Sequence, residues 1–592
     1  MPVQTHPSAT AEPKIEAFNQ AHGLSIEDPR RRIGVIADGA EADSPLAPGH
    51  VRTLAALEQV FPVRFEHIRS ATPDGLDGVL VLGARSLSHD EGARGLPKLV
   101  LSAEGDPRDL APALTSGQGS ERADPASIPS GQMTTVALSG DPALAKPLRG
   151  RAIQEQTLPS RAQPVDGRAV TLASLAGRPV WWQIGKGSET TELSSYPLAR
   201  LDCGEALREH LRAGRFMGLL PLVNFISRLL GESGWRLPPL RACFVVDDPN
   251  LHWTSYGFLD YAELIEHATH HGYHMGFATV PLDGWLIKRK AATLLADNRS
   301  VLSLAVHGND HISRELARRS TDAEAEAAIA QGLRRVGALE RRSGVQVERV
   351  LVPPHGACSE AVLRATFRLG GEAACISRPY PWLDGQPAPT PLAGWHPADL
   401  VAGGLPVLPR HPLSASREDL ALRALLGHPL ILYGHHADFA DGLDLLVQAA
   451  SEINSFGEVQ WGSLGGIART NYSTRRSGDT LLVKMHARRI AVEIPGGVSA
   501  LRVLVDEPVG GTAGHRLAHR SGDVGVLFQD GVGVSEPLVV GPGRIDLALE
   551  ADRPLDPGTI DSPAIHPWPL LRRALVEARD RVQPLLRSTS SA

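Results

Sequence analysis

Residues 240–253 read LRACFVVDDPNLHW, a strand-like apolar run that ends in two adjacent carboxylates, Asp247 and Asp248. Seven more short apolar runs follow up to Gly462, and most of them also end in polar or ionisable residues, with helical patterns between several of them. Repeated strand and helix units with functional side chains at the strand ends are typical of a β/α barrel, whose active site lies on that face. The sequence therefore predicts a β/α barrel over residues 237–472.

The segments on either side of this region have different patterns, so we predict a multidomain α/β protein. Residues 1–30 are polar and are expected to form a flexible tail. Residues 31–236 alternate short apolar strands with helices, which predicts an N-terminal α/β domain of flavodoxin-like or amidotransferase-like pattern. Residues 473–556 contain short alternating strands between Gly, Pro and Asp turns, which predicts an antiparallel β-sandwich. Residues 557–592 are expected to form a helix and tail without evident chemistry.

The composition favours a small molecule or a neutral polymer as partner. The chain has 592 residues, and its 60 Lys and Arg against 66 Asp and Glu give a net charge of −6. This balance removes the usual electrostatic case for nucleic acid or an anionic membrane as main partner. The four cysteines form no C-x-x-C pair, and no signal-like or membrane-spanning stretch is evident. We expect a cytoplasmic protein without a membrane span, and the oligomeric state stays open.

Two strand ends together predict a metal site. Adjacent side chains at a strand end point to opposite sides, so one of Asp247 and Asp248 can bind a metal while the other faces a water at the substrate; a solvated Asp-Pro turn is the alternative. In HGNDH, the spacing of His307 and His311 would place both imidazoles on one face of a helical turn. Gly308 replaces the glutamate of H-E-x-x-H, which disfavours a thermolysin-like protease. One Asp and two His with an open position form a competent hydrolytic metal site.

A third strand end, in PLILYGHHADF, carries His435 and His436. An imidazole at this place can protonate a leaving group near neutral pH. The residue pattern leaves open which of the two histidines faces inward, and a surface loop is the alternative interpretation.

The segments VVDDPN, HGNDH, LVPPHGACSE and ILYGHH occur in the order and approximate spacing of the motifs of NodB-type polysaccharide deacetylases, carbohydrate esterase family four, which residues 240–470 resemble. The resemblance implies a distorted β/α barrel that binds a divalent metal, commonly zinc, with cobalt or nickel as alternatives. It also implies removal of acetyl groups from N-acetylated sugars. Carried over by position, it makes Asp247 the general base and His435 the general acid, and it gives as metal ligands Asp248, His307 and His311.

The sequence departs from the family pattern in two places. Val352 stands where the third motif has an arginine that orients the base, and Arg378 and Arg410, at other strand ends, are the candidates to supply that charge. Tyr433 replaces a leucine that lines the acetyl pocket, which leaves the acyl group open. The expected substrate-binding residues are Tyr433, the histidines of the motifs and aromatic residues of the loops: His355, His436, Trp253, Tyr380 and Trp382.

These features predict a metal-dependent hydrolase that removes an acyl group, most simply N-acetyl, from an amino sugar, a polysaccharide, a glycoconjugate or an acylated small molecule. A two-carboxylate glycosidase is disfavoured, because adjacent aspartates cannot flank a glycosidic bond at separations of about 5 to 9 Å. The rival from another class is a non-catalytic carbohydrate-binding or scaffold protein, which Val352 and Tyr433 favour. The presence of Asp247 beside a complete Asp-His-His set favours the enzyme.

Overall fold

The computed structural model of the protein describes residues 30–37, 46–68, 75–83, 95–102, 132–156, 169–185, 187–377, 390–506, 515–519, 522–529, 532–564 and 567–590. These residues form a mixed N-terminal sheet, a parallel sheet that closes on itself, and two C-terminal sheets. No helix in these ranges is long and apolar enough to cross a membrane.

The N-terminal sheet has nine strands in the order β2-β1-β3-β4-β9-β8-β7-β5-β6. The strands are β1 (Arg31–Ala37), β2 (Val63–His67), β3 (Gly78–Leu82), β4 (Lys98–Leu101), β5 (Met133–Leu138), β6 (Ala152–Gln156), β7 (Val170–Leu175), β8 (Arg178–Ile184) and β9 (Thr191–Ser194). From β2 to β9 neighbouring strands are parallel, and from β9 to β6 they are antiparallel. The antiparallel half was not indicated by the sequence.

Two helices accompany this sheet, α1 (Pro48–Val60) and α2 (Leu220–Leu230). The pattern predicts a helix from about residue 205 to 230, and this prediction is wrong for its first half, where residues 207–210 form only a short 3₁₀ turn. The helix begins at Leu220 because Pro221 occupies its first turn, where the missing N–H of proline costs no hydrogen bond.

The central region contains the predicted parallel-strand barrel. Seven parallel strands form a closed ring in the order β10-β13-β14-β15-β16-β18-β19, because β10 pairs with both β13 and β19. A further strand, β20, pairs with the first residues of β10, and β17 pairs with β18. The bounds are β10 (Leu240–Asp247), β11 (Ser255–Tyr256), β12 (Leu259–Asp260), β13 (Met275–Thr279), β14 (Leu302–Val306), β15 (Val347–Leu351), β16 (Ala373–Ile376), β17 (Asp399–Val401), β18 (Leu405–Pro412), β19 (Leu430–Gly434) and β20 (Val459–Trp461).

Helices connect these strands: α3 (Tyr261–His271), α4 (Arg289–Asp297), α5 (Asp322–Ser343), α6 (Glu360–Arg368), α7 (Arg417–Leu425), α8 (Asp444–Ser455) and α9 (Leu464–Arg469). The charge and apolar pattern of residues 321–342 predicts a helix, and α5 confirms it. Thr321 and Glu324 form a capping box at its start, in which each side chain accepts a hydrogen bond from the other residue's backbone N–H.

Side-chain alternation along the strands brings the motif residues to the barrel mouth. Small apolar side chains, including Cys243, Val245, Ala305, Val350 and Leu408, form one buried cluster inside the barrel. Side chains two residues apart on a strand point the same way. The positions two residues after Val245, Ala305 and Leu408 therefore face the mouth, and they are occupied by Asp247, His307 and Arg410.

The C-terminal strands form two sheets, in the orders β21-β22-β24-β28-β27, with β29 on β24, and β23-β30-β25-β26. Their bounds are β21 (Tyr472–Ser477), β22 (Thr480–Met485), β23 (Arg489–Ile494), β24 (Ala500–Asp506), β25 (His515–His519), β26 (Gly522–Val524), β27 (Val526–Gln529), β28 (Val532–Ser535), β29 (Leu538–Val539) and β30 (Gly543–Ala551). The antiparallel prediction is wrong for one pair, because β22 and β24 are parallel. Between β22 and β24 the chain passes through β23, which belongs to the other sheet, so β24 runs in the same direction as β22.

The last helix, α10 (Pro567–Ser590), lies across the barrel mouth. Its Arg573 contacts Asp283 and Asp248, and its Asp580 contacts His436. The sequence predicts this C-terminal helix but assigns it no chemical role. In the structure it forms one wall of the site.

Candidate active site

The buried base candidate Asp247 is held by an arginine from another strand. Arg410 of β18 donates from Nη1 to both carboxylate oxygens of Asp247, at 2.7 and 2.9 Å. Both side chains are almost fully buried, and the Arg410 guanidinium lies 4.2 Å from the ring centre of Tyr433. Burial opposes the charged form of Arg410, but the Asp247 carboxylate raises its pKa above the ordinary value. Of the two arginines considered, Arg410 meets Asp247, and Arg378 lies outside the described residues.

Asp248, His307 and His311 converge on one point. Asp248 Oδ1 lies 2.9 Å from His311 Nε2 and 3.4 Å from His307 Nε2. One ligand atom from each residue lies within 4.8 Å of the other two. Burial would raise the pKa of Asp248, but the two imidazoles hold it well below its usual range. Asp248 Oδ1 is buried and makes no hydrogen bond of regular geometry with the described residues. An ionised oxygen and two imidazole nitrogens match the ligand preferences of zinc.

The backbone at Val352 fixes the ring orientation of His307. His307 Nδ1 lies 2.7 Å from the carbonyl oxygen of Val352. Because a carbonyl only accepts hydrogen bonds, Nδ1 donates its proton to Val352, and Nε2 is the ring nitrogen that faces Asp248. Val352 lacks the charge that the family motif has at this place, but its carbonyl group orients a metal-ligand candidate.

The HGNDH segment is an open loop, so the predicted helical turn is wrong. Gly308 has φ 68° and His311 has φ 54°, both in the left-handed region. The Glu315 carboxylate accepts hydrogen bonds from the backbone N–H groups of Asn309 and Asp310, at 2.7 and 3.0 Å. These bonds replace those of a helix, and the two left-handed residues bring the imidazoles together. A non-glycine residue at positive φ is strained, as is common at functional sites.

We expect Gly308→Ala to lower the free energy of unfolding by about 2 kcal/mol or more. The new Cβ would overlap Glu315 Oε1 and lie 2.8 Å from Pro354 Cγ. A left-handed conformation also costs an L-residue about 1–2 kcal/mol. Urea unfolding would measure the change. Gly462→Ala is the matched control, since no atom lies within 4 Å of its added Cβ. Equal stability of the two variants would contradict the loop geometry.

The two adjacent histidines after β19 differ in burial. His435 is exposed. His436 is buried, and its ring meets Tyr256 edge-on at a centroid distance of 4.8 Å. The space is so tight that a Cβ at Gly257 would overlap the His436 imidazole. His436 Nε2 lies 3.4 Å from Asp580 Oδ1. The imidazole that is fixed at the mouth is therefore that of His436.

The other expected substrate-binding residues are placed as follows. Trp253 is half exposed, and the charged groups of Lys288 and Arg581 lie over its ring at 4.9 and 4.1 Å. Tyr433 is partly buried beside Arg410. His355 is exposed with φ 60°, and its ring lies 5.9 Å from that of His311. Tyr380 and Trp382 lie outside the described residues.

Arg573 and Arg572 of α10 contact the metal-ligand candidates and were not found from the sequence. Arg573 donates from Nε to Asp283 at 2.9 Å and from Nη2 to the Asp248 carbonyl at 3.3 Å, and its Nη1 lies 3.7 Å from Asp248 Oδ1. Arg572 donates to the His311 carbonyl at 2.5 Å. Burial disfavours the charged form of Arg573, but Asp283 raises its pKa above the ordinary value. The helix thus brings a fixed positive charge beside Asp248.

A spacing signal for these residues was present in the sequence. Arg573, Glu577 and Asp580 are four and three positions apart, which places them on one face of a helix. Leu571 and Leu575 mark the opposite face. The pattern alone does not state which face packs on the protein, and apolar faces usually do.

We expect the docking of α10 to be strongest between about pH 4.3 and 6.5, the ordinary pKa values of glutamate and histidine. His252 Nδ1 lies 2.7 Å from Glu577. Burial lowers the pKa of His252, but the hydrogen bond and charge of Glu577 raise it above the ordinary value. Burial raises the pKa of Glu577, and His252 lowers it below the ordinary value. Because the pKa of His252 is raised in the folded protein, the stabilisation by the pair declines as pH rises through that pKa. Because the pKa of Glu577 is lowered, the stabilisation also declines as pH falls through that pKa.

Hydrogen exchange of α10 amides across pH, corrected for intrinsic rates, would measure this docking. In Glu577→Gln the decline on the alkaline side should disappear. An identical pH profile in wild type and variant would refute the expectation.

A cleft of about 880 Å³ lies between α10, α5 and residues 281–285. Its lining includes His252, Asp283, Trp285, Arg335 and Arg573. Trp285 exposes 60% of its surface. The cleft adjoins the Asp248 site through Arg573, and its volume is that of a small-molecule site.

No protein-family model and no curated protein sequence match the chain. Solved structures match about two fifths of the chain. A putative polysaccharide deacetylase from Mycobacterium smegmatis is 15% identical, with a TM-score of 0.28, over 40% of this chain and 95% of that chain. A family 4 carbohydrate esterase from Streptomyces lividans in complex with acetate is 11% identical, with a TM-score of 0.25, over 39% and 94%. A family 4 pseudoenzyme from Bacillus anthracis is also 11% identical, with a TM-score of 0.25, over 39% and 66%.

These structures belong to the deacetylase family that the sequence motifs resemble. Identities and TM-scores of this size do not define an activity. The functional argument therefore rests on the side chains of the site.

Proposed function

We propose that this protein is a metal-dependent hydrolase that removes an acyl group, most simply N-acetyl, from an amino sugar, a polysaccharide or a glycoconjugate. One observation carries the proposal: a buried carboxylate held by Arg410 and a set of one Asp and two His lie side by side at the same barrel mouth. A general base beside a cation site is the minimum for metal-assisted hydrolysis of an amide.

Asp248, His307 and His311 would hold the divalent cation, zinc first and cobalt or nickel as alternatives. When bound, such a cation supplies Lewis acidity toward the amide carbonyl and acidifies water. The remaining chemistry falls to the protein itself. The carboxylate of Asp247 accepts the proton of the attacking water, and the hydrogen bonds from Arg410 hold that carboxylate in position.

The departing amine nitrogen needs a proton donor. The resemblance implies His435, but His436 is the buried imidazole and has the Asp580 carboxylate as its partner. A carboxylate in this position holds an imidazole in one orientation. We therefore assign the general acid role to His436.

The expected substrate is a carbohydrate. Trp285 exposes 60% of its surface in the lining of the cleft, and a flat aromatic face of this kind suits the apolar face of a sugar ring. The cleft is also polar at Arg335 and Asp283, which can orient hydroxyl or amide groups.

The first experiment is elemental mass spectrometry of the purified protein, paired with acetate release from N-acetylglucosamine oligomers. Wild type should carry about one transition metal per chain. His307→Ala should lose both the metal and the activity. His270→Ala, at an exposed histidine of α3, is the matched control and should keep both. Absence of bound metal after supplementation with zinc, cobalt and nickel would refute the proposal.

A non-catalytic carbohydrate-binding protein is the second candidate. It is favoured by the Arg573 guanidinium, which lies 3.7 Å from Asp248 Oδ1 and competes electrostatically with a divalent cation. In that case the oligomers would bind without metal and without acetate release, and His307→Ala would leave binding unchanged.

A further inference from the structure

The guanidinium of Arg573 is held along one edge only. Nε donates to Asp283 Oδ2 at 2.9 Å, and Nη2 donates to the same oxygen and to the Asp248 carbonyl. Nη1 makes no hydrogen bond with the residues that the structure describes, and it lies 3.7 Å from Asp248 Oδ1. The contact with Asp283 therefore fixes the guanidinium plane and leaves the N–H groups of Nη1 available beside Asp248.

Arg573 touches both the metal-ligand candidates and the cleft. Its Nη1 lies beside Asp248, and its side chain lines the cleft together with Asp283 and Trp285. A substrate with its sugar ring in the cleft and its acyl group at Asp248 would contact this side chain. The docking of α10 does not require Nη1, because Nε and Nη2 make the hydrogen bonds with Asp283.

The positive charge of Arg573 is permanent and has little contact with water. The side chain is 9% exposed. Burial lowers the pKa of Arg573, but the Asp283 carboxylate raises it above the ordinary value. A charge that is held in place and shielded from water stabilises a nearby opposite charge more than a solvated one does, because no reorganisation is needed. Such a group suits an oxygen that becomes negative during a reaction.

We propose that the Arg573 guanidinium stabilises the oxyanion of the hydrolysis, an inference that rests on the function proposed above. The attacking water adds to the amide carbon, and the electron pair of the C=O double bond moves onto the oxygen, where Nη1 donates a hydrogen bond to it. The pair returns when the C–N bond breaks and the amine leaves with the proton from His436. Arg573 is a catalytic residue in this role, and Asp283 is a positioning residue that acts through it.

A donor that acts only on the transition state changes kcat and not KM. We expect Arg573→Lys to lower kcat about 100-fold, because a single ammonium group that pairs with Asp283 leaves the Nη1 position empty. Arg364→Lys is the matched control, since Arg364 is 41% exposed on α6 and pairs with Glu360 of the same helix, and it should keep the wild-type kcat. Acetate release from N-acetylglucosamine oligomers across substrate concentrations gives both constants.

A second variant covers the case in which lysine distorts the pair. Arg573→Gln combined with Asp283→Asn removes both buried charges, so neither is left without its partner. This double variant should lose kcat by the same factor or more, while its circular dichroism stays that of wild type. Zinc titration of the metal-free protein supplies a readout without hydrolysis. Zinc affinity should not fall, because Arg573 repels a cation, whereas a side chain that only shaped the metal site would weaken zinc binding when replaced.

Methylphosphonate tests the oxyanion role without a substrate, because its methyl group and tetrahedral oxygens resemble the intermediate formed from an acetyl group. Calorimetry should show binding to the zinc-loaded wild type and about tenfold weaker binding to the double variant. If wild type releases acetate, undiminished kcat, equal methylphosphonate binding or weaker zinc binding in the variants would each overturn the role of Arg573 alone. A wild type without bound metal and without acetate release would overturn the hydrolase proposal as well.

Discussion

Arg410→Ala is expected to lower the free energy of unfolding by about 3–5 kcal/mol, because it leaves the buried Asp247 carboxylate without its partner. The two side chains are only 1% and 5% exposed, so water cannot replace the lost hydrogen bonds. The same change should abolish hydrolysis, since Asp247 is no longer oriented. Urea unfolding gives the stability change, and acetate release gives the activity.

Two further variants serve as controls for the Arg410→Ala result. Arg364→Ala removes an arginine whose pair with Glu360 is about 40% exposed on both sides, so it should cost about 0.5 kcal/mol or less. Combining Arg410→Met with Asp247→Asn removes both charges and should recover part of the stability, but not the activity. An Arg410→Ala protein as stable as Arg364→Ala would contradict the buried pair.

Asp580→Asn is expected to lower kcat about 10- to 100-fold with little change in KM. The Asp580 carboxylate lies 3.4 Å from His436 Nε2, and both side chains are buried. Burial would raise the pKa of Asp580, but His436 and Arg579 lower it, so the carboxylate is charged. The amide of asparagine keeps the shape of the carboxylate but not the charge that holds the His436 imidazole in its orientation. Acetate release across substrate concentrations separates kcat from KM.

Glu577→Gln is the matched control for Asp580→Asn. Glu577 lies one turn earlier on α10 and pairs with His252, so its loss loosens the helix without removing the partner of His436. This variant should keep most of kcat. An equal loss of kcat in both variants would show that the helix acts only through its docking, and Asp580 would then not be a positioning residue for His436.

The strand ends of the barrel were predictable because local patterns encode them. An apolar run followed by Asp247, or by His307, identifies a strand and the side chain at its end without knowledge of the fold. The choice between Arg378 and Arg410 was not predictable, because it depends on strand order: β18 lies next to β19, which pairs with β10. Such order arises from contacts between residues far apart in the chain.

Three further features were hidden from sequence reasoning for physical reasons. The HGNDH loop depends on left-handed backbone at Gly308 and His311 and on capping by Glu315, and histidine at positive φ is not a residue preference that a pattern reveals. The burial of His436 beside an exposed His435 depends on close packing against Gly257. The orientation of α10 reverses the usual rule for amphipathic helices, which the ion pairs of its inner face explain.

The contact between Arg573 and the Asp248 carbonyl joins residues 325 positions apart. During synthesis from the amino end, the barrel strands can pair before the residues of α10 have been made. In that interval the mouth faces bulk water on the side that the helix later covers. A nascent molecule whose barrel strands pair at that stage has its site covered only after α10 has been made.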